Sequence, residues 1–214
     1  MPVFHRTNAT ECTAILRPAS LPRVMVARAI TIATSADAAE TGNGRAEACL
    51  SCHGESGISQ AENTPSLAAQ PDRFLQWQLV YFRSGARKNE LMGPIAEQLS
   101  NTDIRDFAAY FGAFKAQGVS SSARDDSPEL TEAARKAIAA GRCASCHGDN
   151  LTGSEAVVRI ARQREDYLNK ALHDCGSGQP VGGGVAGMAD VGYSLSKEHL
   201  AALANYLSRQ RARQ

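Results

Sequence analysis

The chain has 214 residues, 43% of them hydrophobic, which suits one medium domain or two small ones and excludes a disordered polymer. Its 23 basic residues offset 22 acidic ones to a formal net charge of +1, so the basic footprint of a nucleic-acid-binding protein is missing and no nucleic-acid partner is expected. No run approaches the roughly 20 apolar residues that a membrane-spanning helix requires, so no transmembrane span is expected in the mature form.

Residues 1–38 read as an N-terminal leader or a mis-extended start. Arg17, Arg23 and Arg28 accompany a short apolar run from Ala29 to Ala33, Ala36-Asp37-Ala38 is a crude A-x-A cleavage pattern, and Met25 offers a second start. Cys12 would leave with this segment. Residues 40–117 form a first module. It opens on CLSCHGES (Cys49 to Ser56), and Leu75, Leu79 and Phe82 then recur at helical spacing after Pro71-Asp72. Ile104, Phe107, Ala108 and Phe111 do the same after Ser100 to Asp103. Residues 118–128, within the small and polar stretch QGVSSSARDDSP, have a linker's composition. Residues 129–214 begin a second series. A helix over Thr131 to Gly141 leads into CASCHGDN (Cys143 to Asn150), and the apolar positions Leu168 and Leu172, then Leu200, Leu203, Ala204 and Leu207, follow. No run alternates like a strand, so the expected fold is all-α: short helices joined by loops.

The two series are copies. Pro65 to Gly85 aligns with Val158 to Gly178, matching Gln70 to Gln163, Phe74 to Tyr167 and Leu79 to Leu172. Met92 to Phe111 aligns without a gap beside Met188 to Leu207. Helical modules this small bury little surface, and each calls for a staple such as a metal or a covalent cofactor.

The cysteine motifs supply one. Cys-x-x-Cys-His is the spacing at which two thiols reach the two vinyl groups of a haem while the next residue turns its imidazole onto the iron. Cys49 and Cys52 would tether one haem with His53 as proximal ligand, and Cys143 and Cys146 a second with His147. Six cysteines in an exported chain could form three disulfides, but two close pairs each followed by histidine argue against it. Zinc would pair two such knuckles within a few tens of residues, and a thioredoxin-type dithiol would need a neighbouring βαβ pattern. For the second axial position, Met92 and Met188 fall in register, each after a glycine-bearing loop; the competing role for either is core filler. Thioether ligation favours ferrous iron, and with both axial positions filled the remaining chemistry is outer-sphere electron transfer, with no catalytic residue.

CLSCHGESG, PSLAAQ, FLQWQLVYFRSGAR with Met92, and LSNTDIRDFAAYF, with their second-copy counterparts, resemble the diheme cytochromes c4, which carry two class I cytochrome c domains in tandem. The resemblance implies two covalently bound haem c groups, with modules that face each other and propionates near their interface. It implies a soluble periplasmic electron carrier, with peripheral membrane association as an option. Its redox partners would be a quinol-oxidising complex, a terminal oxidase or a dehydrogenase. It also implies that the Pro65 carbonyl accepts from His53 and that Arg87 meets a propionate. At the equivalent second-copy positions stand Val158 and Pro180, and the loop Gln179 to Met188 is glycine-rich where the first copy reads ARKNELM.

Two alternatives stay open: the cytochrome subunit of a periplasmic dehydrogenase, or a diheme enzyme of thiosulfate-dehydrogenase type with an altered second haem. The latter draws on that loop and on Cys175 alone. The plainer expectation makes His173 a surface residue, Cys175 a small buried hydrophobe and His199 a solvated helix start. Trp77 would be local packing or interface, and Arg73, Arg83 and Arg87 a solvated face or docking rim.

Overall fold

Helix starts and stops follow the chain's own punctuation. The computed structural model describes residues 46–117, 127–179 and 185–210, and both modules fall within one unit beginning at Ala33. The leader with Cys12 and Met25, most of the linker, and Pro180 with the glycines after it lie outside the described residues.

In the first module α1 (Glu47–His53) holds the whole Cys-x-x-Cys-His motif. α2 (Asp72–Arg83) starts after Pro71, α3 (Met92–Glu97) is short, and α4 (Asn101–Gly112) is opened by a capping box between Ser100 and Asp103. In the second, α5 (Pro128–Ala140) starts on a proline at the position where the missing N–H costs nothing, with Ser127 accepting from the Leu130 N–H. α6 (Ala144–His147), with Cys143 as its N-cap, carries the second motif. α7 (Glu165–Gly176), α8 (Val185–Ser194) and α9 (Lys197–Arg209) complete the chain. Ser196 caps α9 as Ser100 caps α4, but the carboxylate of Asp103 has become His199, whose N–H donates to Ser196 Oγ at 3.3 Å. Among the described residues there is no strand, only an isolated bridge from Ser154 to Val157. The all-α expectation holds.

α2 packs on α3 and α4; α7 packs on α8 and α9, and α9 on α5. The first core is aromatic, with Phe107, Tyr110 and Phe111 buried beside Leu75 and Ala46, and Tyr110 edge-on to Phe114 at 5.0 Å. The second is aliphatic, built on Leu203, Leu207, Leu168 and Leu151. Both are thin. Cys49 borders the first core and Cys143 the second, so each attachment site opens from the edge of an apolar cluster.

The loop after each motif is folded alike. Leu67 and Ala68 both donate to the Gly57 carbonyl, and Ile160 and Ala161 both donate to that of Leu151. Each motif helix stops at a glycine, Gly54 (φ 81°) or Gly148 (φ 78°), in a conformation that L-side chains avoid. At Gly54 a Cβ would also sit 2.2 Å from the Ile58 carbonyl oxygen, so the chain can leave the histidine in this direction only without one.

Candidate haem sites

Cys49 and Cys52, three apart on α1, lie on neighbouring positions of one helical face, and Cys143 and Cys146 repeat the arrangement. All five described cysteines are free. Burial, and then the neighbouring Cys52, push the Cys49 thiol above its ordinary value; burial dominates at Cys143 also.

The histidines are the best-fixed groups. His53 and His147 are 7% and 5% exposed. His53 Nδ1 lies 2.9 Å from the Pro65 carbonyl oxygen, and His147 Nδ1 lies 2.8 Å from that of Val158. A carbonyl can only accept, so Nδ1 carries the proton and Nε2 is left with its lone pair, the tautomer that ligates iron. Burial lowers the His53 pKa against the opposing pull of the Pro65 carbonyl, a shift toward the neutral ring that a metal ligand needs. Valine therefore replaces proline without loss of the contact, because the loop and not the pyrrolidine ring places the oxygen.

Met92 and Met188 are both half-buried and sit on equivalent helices. Met92 is the first residue of α3, which packs on α2, and its N–H donates to Asn89 Oδ1 at 2.8 Å. Met188 differs from expectation in lying inside a helix: α8 begins at Val185, so the segment read as loop is helical where it meets the methionine. The reason is tertiary. Where α8 crosses α7, a Cβ on Gly192 would lie 2.7 Å from the Gly176 backbone nitrogen, and one on Gly176 would lie 2.8 Å from the Gly192 carbonyl. Two glycines let the backbones touch, and this contact anchors the methionine-bearing helix.

The three arginines have separate partners. Arg73 pairs with Glu155 at 3.0 Å, Arg83 donates to the Leu99 carbonyl and to Asn101, and Arg87 donates to Gln78 at 2.6 Å and to the Tyr167 hydroxyl at 3.1 Å. Arg87 also lies over the Phe82 ring at 4.6 Å. Trp77 is 44% exposed and stacks on Tyr81. His173 and His199 are exposed. Cys175 is half-buried, and burial, then Asp174, raise its thiol pKa against the influence of Arg87.

The resemblance implied that the modules face each other, but sequence reasoning missed the residues of the seam between them. Gln70, Gln163, Ser66 and Arg159 are all at most 3% exposed there. Phe74 N–H donates to the Glu155 carbonyl at 3.1 Å, Asn63 N–H to Asp166 Oδ2 at 2.8 Å, and Arg164 to the Ser59 carbonyl at 2.9 Å. The one advance signal was the Gln70–Gln163 match. Arg159 donates to the Ala68 carbonyl at 2.8 Å and also to that of Ala161, while its Nε is buried without a partner. Burial, then Arg162, push its pKa down to about 10. A buried guanidinium with an unused N–H and no carboxylate paired to it among the described residues is what a haem propionate would satisfy. With free thiols at the core edge and both imidazoles held by Nδ1, the residues fit haem.

Fold and site together define a c-type cytochrome. Residues 39–113 match the profile of the family Cytochrome c. The chain is 31% identical to cytochrome c4 of Azotobacter vinelandii, over 82% of this chain and 90% of that one. The crystal structure of reduced recombinant cytochrome c4 from Pseudomonas stutzeri superposes with a TM-score of 0.71 at 30% identity, covering 81% of this chain and 98% of that chain. A protein named thiosulfate dehydrogenase electron acceptor, from Thiomonas intermedia, is 28% identical over 77% of this chain and 79% of its own length. The chain belongs to the cytochrome c4 family: it is a diheme electron-transfer cytochrome with two covalently bound haem c groups.

Proposed function

We propose that residues 40–117 and 129–214 are the two cytochrome c domains, tethered to haem through Cys49 and Cys52 and through Cys143 and Cys146. His53 with Met92, and His147 with Met188, are the axial ligands. The observation that carries this is the pair of matched Nδ1 contacts, at 2.9 Å and 2.8 Å, which leave both Nε2 atoms free to ligate. Haem bound there supplies the exchange of single electrons between ferrous and ferric iron. The chain's own groups hold it: the thioethers fix its plane, the carbonyls of Pro65 and Val158 fix each imidazole, and Arg159 offers its charge to a carboxylate.

With both axial positions filled the protein is a carrier and not an enzyme. It works in the periplasm, taking electrons from a quinol-oxidising complex or a dehydrogenase and passing them to a terminal oxidase. Among the described residues no helix is long and apolar enough to cross a membrane. The likeness to a thiosulfate dehydrogenase electron acceptor favours, as a second reading, a thiosulfate-oxidising donor.

Peptide mass spectrometry should find one haem on each cysteine pair, and magnetic resonance of the oxidised protein should count two low-spin histidine–methionine centres. Colourless protein with unmodified thiols, matured in a competent host, overturns the assignment. Mixing the oxidised protein separately with each donor, and timing its reduction, decides between the partners.

A further inference from the structure

The peptide bonds that hold the two proximal histidines are themselves gripped from the opposite module. The Pro65 carbonyl that accepts from His53 belongs to the same peptide unit as the Ser66 N–H. That N–H donates to Gln163 Oε1 at 2.8 Å, and Gln163 Nε2 donates back to the Ser66 carbonyl at 2.9 Å. The second module mirrors this. The Val158 carbonyl accepts from His147, the Arg159 N–H of the same peptide unit donates to Gln70 Oε1 at 2.9 Å, and Gln70 Nε2 donates to the Arg159 carbonyl at 3.0 Å. The glutamines occupy one position of the repeat, and Ser66 and Arg159 another. Immediately before each glutamine the backbone enters the left-handed region, at Ala69 (φ 54°) and Arg162 (φ 58°), so a strained feature uncommon for these residue types is present twice.

We propose that Gln70 and Gln163 are reciprocal positioning residues, each setting the orientation and donor strength of the proximal histidine in the module to which it does not belong. This rests on His53 and His147 being the axial ligands. An amide whose N–H donates is polarised, and its carbonyl becomes a stronger acceptor. The imidazole that donates to that carbonyl gains anionic character and becomes a better ligand for ferric iron. Each relay runs through groups shielded from water, where polarisation is least damped. Plain interface glue would act on both haems alike, whereas the relay acts crosswise.

The test uses the full-length, haem-loaded protein and its Gln163→Met and Gln70→Met variants. In Gln163→Met, the Nδ1–H resonance of His53 in the reduced protein should move upfield. At the parent's midpoint the ferrous-to-ferric ratio of the first haem should rise about two- to threefold, with the second haem unmoved. Gln70→Met should give the mirror result at His147. A shift confined to the variant's own module, an equal shift of both haems, or none in a folded, fully loaded variant overturns the proposal. If the methionine variants do not fold, Gln163→Glu decides. It keeps an acceptor for the Ser66 N–H but loses the donor, so the His53 resonance should stay or move downfield, and an upfield shift overturns the relay. A parent lacking either haem, or with another residue on the iron in place of His53 or His147, overturns the ligand assignment, and this inference with it.

Discussion

At the scale of single residues, what separates the two kinds of proposed ligand is how firmly each is held. Both histidines have a bonded Nδ1, but no hydrogen bond orients a thioether, so each methionine depends on the helix that carries it. Met188→Ala should therefore let carbon monoxide or cyanide bind at one haem of the two, and Met92→Ala at the other, while the parent stays inert; optical titration counts the sites. Rapid ligand binding by the parent would favour the enzyme reading. The Cys-x-x-Cys-His motifs were legible in the sequence because covalent haem attachment demands a fixed local spacing, which no methionine shares. Arg159 was not, since a charge buried between modules leaves no local pattern, and neither were the contacts of Arg87 to Gln78 and Tyr167.

At the scale of elements, α2, α4 and α9 were legible because each buries an apolar stripe behind a Pro or Ser start, and α7, which starts after Arg164, because it copies α2 in the repeat. α8 was not. Its glycines argue for loop on propensity, yet Gly192 is where α7 makes backbone contact, and that packing outweighs the propensity cost. Gly192→Ala should force the two helices apart, because the added carbon meets main chain at 2.7 Å and main chain cannot swing aside. We expect a loss of about 1–3 kcal/mol in denaturant melts. We also expect, if Met188 is the ligand proposed above, that carbon monoxide or cyanide binds at the second haem only. An unchanged melt and an inert second haem would show that the contact is relaxed at no cost.

At the scale of the whole molecule, the seam has a built-in acid limit. Asp166 is pulled upward by burial, but hydrogen bonds from Arg164 and from the Asn63 and Tyr167 N–H groups outweigh that and hold its pKa below the ordinary 3.8. A depressed folded pKa means the stabilisation is complete above the ordinary value and is lost as pH falls through the folded one. Exchange protection of the seam amides of Ser66 and Arg159 should therefore decline in acid below about that value. Asp166→Asn should weaken the seam by about 1 kcal/mol near neutral pH and flatten this pH response. Protection that is insensitive to acid in the parent would count against a role for Asp166.

The seam's central grips fall on main chain, which every residue possesses. A glutamine that reads only an amide and a carbonyl places no demand on the side chain it meets, and serine in one copy stands where arginine does in the other. The halves of this duplicated chain can thus drift apart in composition, and so in the electronic character of their metal centres, without forgetting how to recognise each other.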